Sequence, residues 1–165
     1  MAHRHHRLLV AAFAAAGAGL SMIGAGTAFA QDTASLSIAP GGSFGAFLPG
    51  IARDYTTSLA ATATATGALS ELTVLDPNGA APGHLVNGSF SLPQALQARA
   101  ASATGSGSAA FVPIGESPIS ILSWAAPIAD EPVTITLKQP IAATDSLLGG
   151  SYGKTLEFTL SSTTP

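Results

Sequence analysis

The stretch that most constrains the fold of this chain is its last, Tyr152–Pro165, which reads Tyr-Gly-Lys-Thr-Leu-Glu-Phe-Thr-Leu-Ser-Ser-Thr-Thr-Pro. Tyr152, Leu156, Phe158 and Leu160 fall on one face of an extended chain, with Gly153, Thr155, Glu157, Thr159 and Ser161 on the other. Side chains of a strand alternate between its two faces, so this period of two predicts a half-buried strand that needs a second layer to cover its apolar side. Gly149-Gly150 just before it marks a turn.

The same alternation recurs upstream. Between Arg53 and Thr66, Tyr55, Thr57, Leu59, Ala61, Ala63 and Ala65 take one face, and Thr56, Ser58, Thr62, Thr64 and Thr66 the other. Alanine favours helix, but threonine at nearly every second place favours a strand, and the small inward residues predict a close approach of two sheets. Leu72 and Val74 alternate in Leu69–Leu75, which ends in the turn residues Asp76-Pro77-Asn78-Gly79. Val133, Ile135 and Leu137 alternate with Thr134, Thr136 and Lys138, and Pro140 is the expected stop. Shorter strands are predicted at Ser35–Ile38, Leu85–Leu92 and Ile119–Trp124. Phe44–Gly50 reads as an apolar loop or short strand, and Leu96–Ala100 as a strand or one helical turn. Ser102–Ala110, made only of Ser, Ala, Thr and Gly, reads as a flexible surface loop. The sum is an all-β, antiparallel, immunoglobulin-like sandwich of about seven to nine short strands, with no helix longer than a turn.

The N-terminus predicts export. Arg4 and Arg7 precede an uncharged, mostly apolar run from Leu8 to Ala30 that closes on Ala28-Phe29-Ala30. A basic start, an apolar middle and small residues before the cut define a secretory signal peptide over residues 1–30, cleaved before Gln31. The alternative is an uncleaved membrane anchor, which the Ala/Gly-rich run makes the weaker reading. Residues 31–165 are then a single sandwich domain, expected outside the cell. His3, His5 and His6 leave with the signal.

Beyond Ala30 the chain holds four basic residues (Arg53, Arg99, Lys138, Lys154) against nine acidic ones, a net of five negative charges. Nucleic acid and anionic membrane both need a basic patch, so neither is expected as a partner. With no cysteine, the fold has no disulfide despite an oxidising destination, and attachment through a lipidated N-terminal cysteine is excluded.

Candidate chemistry is sparse. His84 is the only histidine after Ala30, and the chain has no Gly-x-Ser-x-Gly elbow to accompany it, so a loop histidine outweighs a catalytic base. A zinc site needs several His or Cys ligands that this composition lacks. Calcium would look to Asp76 with Asn78, or to Asp130 with Glu131, but turn formation explains those residues at least as well. Trp124 and Tyr152 are the aromatics most able to stack on a sugar, set against the commoner role of filling a sandwich core. No catalytic residue, cofactor site or metal site is assigned, and the chain is read as a non-enzyme.

Tyr152, Leu156, Leu160 and Pro165 resemble the distal motif of bacterial WxL cell-surface domains, with Glu157 and Phe158 where that motif carries Thr and Trp. Leu72-Thr73-Val74-Leu75-Asp76-Pro77 looks like the strand and turn of such domains, and Ser70-Glu71-Leu72 lies at the place of their Trp-x-Leu without its Trp. The layout is also similar to uncharacterised secreted actinobacterial proteins and to spore-coat-U-like pilus proteins. WxL domains bind peptidoglycan, so the resemblance implies an envelope protein whose partner is a cell-wall glycan or another envelope protein. Two roles stay open alongside a third, less favoured one, a small secreted hydrolase. The first is a structural or binding surface protein; the second is a subunit that assembles through an exposed sheet edge.

Overall fold

A computed structural model describes residues 10–12 and 31–164. The expected signal peptide lies outside the described residues except for Val10–Ala12. The described chain is all-β and contains no helix. One sheet is ordered β1 (Val10–Ala12), β11 (Leu156–Thr163), β4 (Leu69–Leu75), β9 (Ile119–Trp124). The other is ordered β2 (Ala34–Ile38), β3 (Arg53–Ala65), β10 (Ile128–Ile141), β7 (Gln97–Ser102), β8 (Val112–Pro113). A hairpin of β5 (Val86–Asn87) and β6 (Phe90–Ser91) forms a third small sheet, tied to Gly153 by two backbone bonds at Val86. Every pairing is antiparallel except that of β1 with β11, which is parallel.

The core forms between the inward faces of the two sheets, as the alternation predicts. From one sheet come Leu72, Val74, Ile121, Leu122, Trp124, Leu156 and Phe158, and from the other Tyr55, Leu59, Ala61, Ala63, Ala65, Val133, Ile135 and Leu137. Thr56, Ser58, Thr62 and Thr134 face solvent, or nearly so, between these buried neighbours. Burying the apolar face and leaving the hydroxyls in water is the driving force for the layering.

Three expectations need correction, and one open alternative is resolved. Tyr152 is buried but precedes the closing strand, which begins at Leu156. Leu85–Leu92 is a hairpin rather than one strand, because Gly88 takes a left-handed turn between Asn87 and Phe90. For Leu96–Ala100 the strand reading holds, with Gln97–Ala100 in β7. β10 runs through both Pro132 and Pro140 instead of stopping. Only Val133–Lys138 is paired on both sides, with β3 and β7, so each proline sits where the strand has one neighbour and a missing N–H is tolerated.

Two irregularities set the register. In β9, Leu122 pairs with Leu72 and Ser120 with Thr73, so Ile121 is an extra residue. This bulge lets the adjacent Ile121 and Leu122 both point inward and brings Trp124 back into phase. In β10 the register shifts between Ile128 and Glu131, where Asp130 has φ of +49°. Its N–H bonds Thr64 Oγ1 at 3.0 Å and stabilises the kink.

Candidate functional site

The Ser/Gly run 102–110 is not a free loop. Ser106 exchanges both backbone hydrogen bonds with Ser123 of β9, at 2.7 and 3.0 Å, while the loop itself departs from β7 of the other sheet. It therefore closes one flank of the sandwich. A Cβ on Gly105 would stand 2.9 Å from both Leu122 and Trp124 Nε1, and one on Gly107 would stand 2.6 Å from the Ala100 carbonyl oxygen. Glycine here serves close backbone approach rather than flexibility, which is the reason composition alone misreads the segment. Ser102 fastens the start, accepting the Gly105 N–H at 2.9 Å and the Trp124 indole N–H at 3.2 Å.

Fixed in this way, the loop is a wall between two shallow grooves. The first, about 450 Å³, lies between the loop and the outer face of β7 and β10, lined by Arg99, Ser102, Ser108, Thr134 and Thr136. Arg99 donates from Nη1 to the Ala109 carbonyl at 3.1 Å, and its guanidinium stands 4.6 Å from the centre of the Phe111 ring. Lys138, 3.4 Å from Asp54, approaches the same ring at 4.8 Å. Cation–π contact holds both positive groups on one outer face. The second groove, about 410 Å³, lies on the other side of the loop and is lined by Glu71, Ser106, Ser123, Ser161 and Thr163. Hydroxyls, one cation and one carboxylate are thus arranged on a rigid frame, a set suited to hydrogen-bonding a polar ligand.

Trp124 and Tyr152, the two candidates for stacking, are 3% and 8% exposed. Trp124 lines the second groove but is almost wholly covered there, and Tyr152 is likewise buried. The Tyr152 hydroxyl accepts from the Leu148 N–H at 2.7 Å and donates to the Leu148 carbonyl at 2.9 Å. Its ring meets Phe47 and Phe90, and Phe47 in turn packs edge-on to Tyr55. The Phe44–Gly50 segment is therefore a loop folded over an aromatic cluster. His84 sits in the Ala81–His84 turn, with Nδ1 2.6 Å from the Leu92 carbonyl.

The Asp76 turn holds a contact that sequence reading missed. Lys154 Nζ lies 2.6 Å from Asp76 Oδ2, with the two side chains 3% and 0% exposed. Lys154 also donates to the Ala80 and Ala81 carbonyls, and Asp76 accepts from the N–H groups of Asn78 and Gly83. The lysine ammonium occupies the place at Asp76 that a calcium ion would need. Asp130 and Glu131 bond in different directions, to Thr64 and to Thr104. Among the described residues no group of three or more His, Cys, Asp or Glu is placed to hold a metal. The only trace of the Lys154–Asp76 pair in the sequence is that Lys154 is one of four cations beyond Ala30, and nothing there links it to Asp76.

No protein-family model, curated protein or solved structure matches this chain.

Proposed function

We propose that this chain is a secreted, cell-wall-associated binding protein of immunoglobulin-like architecture, which holds an envelope glycan in the groove beside the 102–110 loop and catalyses nothing. The observation that carries the reading is that groove. Its hydroxyls and guanidinium are held in place by a loop that two backbone bonds and two close-packed glycines pin to β9. Preorganised polar groups of this kind bind polar ligands without an ordering penalty. The Tyr152 hydroxyl bonded to backbone four residues upstream is a device of immunoglobulin-like sandwiches and supports that finer architecture. Export rests on the leader read at residues 1–30, and wall association on the resemblance of Tyr152–Pro165 to WxL domains.

The test is co-sedimentation with purified bacterial cell walls. The protein is expected in the pellet, and Arg99→Gln is expected to weaken binding roughly tenfold, the worth of one charge-assisted hydrogen bond. Recovery of all the protein in the supernatant, or full binding by Arg99→Gln, refutes the assignment to this groove.

A further inference from the structure

The sheet edges differ in how they are protected. β2 is five residues long and is soon followed by Pro40, and β8 has two residues, one of them Pro113. β9 is closed by the Ser106–Ser123 bridge. Short length, proline and covering loops are the usual means of keeping an edge from pairing with another chain. β11 has none of them. Its eight residues carry no proline and no lysine, and only Leu156–Phe158 are paired on the outer side, in parallel with Val10–Ala12. From Thr159 to Thr163 no strand among the described residues pairs with that side.

Val10–Ala12 belongs to the segment expected to be removed after Ala30, so processing uncovers the whole edge. We propose that a second copy of the processed chain then occupies it, the two β11 strands pairing antiparallel and joining two β11–β4–β9 sheets into one. The strand is complementary to itself. Centred on Thr159, the pairing sets Phe158 opposite Leu160 and Glu157 opposite Ser161; centred on Leu160, it sets Leu160 opposite itself and Glu157 opposite Thr163. On the inner face Phe158 meets Leu160 and Leu156 meets Ser162 in the first register, while Leu160 meets itself and Phe158 meets Ser162 in the second; hydroxyls meet on the outer face in both, and no glutamate opposes another. Leu160, partly buried in a single copy, lies at the joint in either case. The inference rests on removal of residues 1–30 and is independent of glycan binding.

The experiment places a specific protease site between Ala30 and Gln31, purifies the folded full chain, and measures mass by light scattering before and after the cut. The mass is expected to double on cutting. Thr159→Lys and Ser161→Lys combined with Glu157→Gln, all on the outward face, set lysine against lysine in either register with no Glu157 to offset it, and this variant is expected to stay at single mass with an unchanged melting temperature. Thr159→Cys combined with Ser161→Cys supplies a second readout, a disulfide-linked dimer that forms after the cut and not before. An unchanged mass after cutting, a dimer indifferent to the lysines, a full chain already dimeric before the cut, or cysteines that link no copies would each overturn the proposal.

Discussion

Lys154→Met is expected to destabilise this fold far more than a surface lysine substitution would. The ammonium is 2.6 Å from Asp76 Oδ2, and it donates to Ala80 O and Ala81 O at 2.9 and 3.0 Å, so its three N–H groups are all used. Removing one partner of a buried pair leaves an uncompensated charge and costs about 3–5 kcal/mol. Asp76 retains the Asn78 and Gly83 N–H donors, which moderates the loss, whereas two carbonyls lose their partner, which restores it. The working value is about 4 kcal/mol, a large part of the roughly 5–15 kcal/mol that holds a domain folded. At roughly 3–5 °C per kcal/mol for a domain of this size, the melting temperature falls by roughly 12–20 °C. Asp76→Asn strands the ammonium and has a similar cost. The double variant removes both charges and is expected to be at least about 2 kcal/mol more stable than the sum of the single losses predicts. Urea titration followed through Trp124, the only tryptophan, measures all four proteins. A Lys154→Met protein within about 1 kcal/mol of the parent, or strictly additive losses, refutes the view that this pair staples the Asp76 turn to the approach to β11.

Gly107→Ala is expected to cost about 1–3 kcal/mol, because its Cβ meets the Ala100 backbone, and to abolish wall binding if the pinned loop shapes the groove. Unchanged thermal unfolding and co-sedimentation would contradict this. Thr104 donates its backbone N–H and its hydroxyl to Glu131 Oε1, at 3.0 and 2.9 Å, and these bonds hold the Glu131 carboxyl below the ordinary 4.5. A carboxyl whose pKa is depressed on folding stabilises fully above its unfolded value and loses that contribution as pH falls through its folded value. Glu131→Gln is therefore expected to be less stable than the parent at neutral pH and to converge with it in acid. Denaturant midpoints for the two proteins that run parallel across that range would exclude the effect.

What could be read from residues was whatever depends on near neighbours in the chain. The inward set of β3, from Tyr55 to Ala65, and that of β10, from Val133 to Leu137, follow from a period of two, and burial matches them except at Thr57, which is only half-buried. Leu85–Leu92 and the two prolines of β10 show where local rules stop. Proline is tolerated or not according to which neighbours a strand has, and that is set by pairing with residues tens of positions away. The groove was hidden for a similar reason. Arg99, Ser108 and Thr136 mean nothing as a sequence pattern, and Gly105 and Gly107 by themselves signal flexibility.

The sequence by itself determined the class of fold, because alternation of apolar and hydroxyl residues has one stable use, a sheet covered on one face. It also placed the apolar core, since the same phase that makes a strand amphipathic decides which side chains leave water. Tertiary structure alone decided the rest. It joined Lys154 to Asp76, pinned Ser106 to Ser123, and, among the described residues, paired the outer side of β11 only over Leu156–Phe158, in the strand where the sequence shows its clearest alternation. Each of these is a meeting of segments far apart in the chain, and no local preference records which segments will meet.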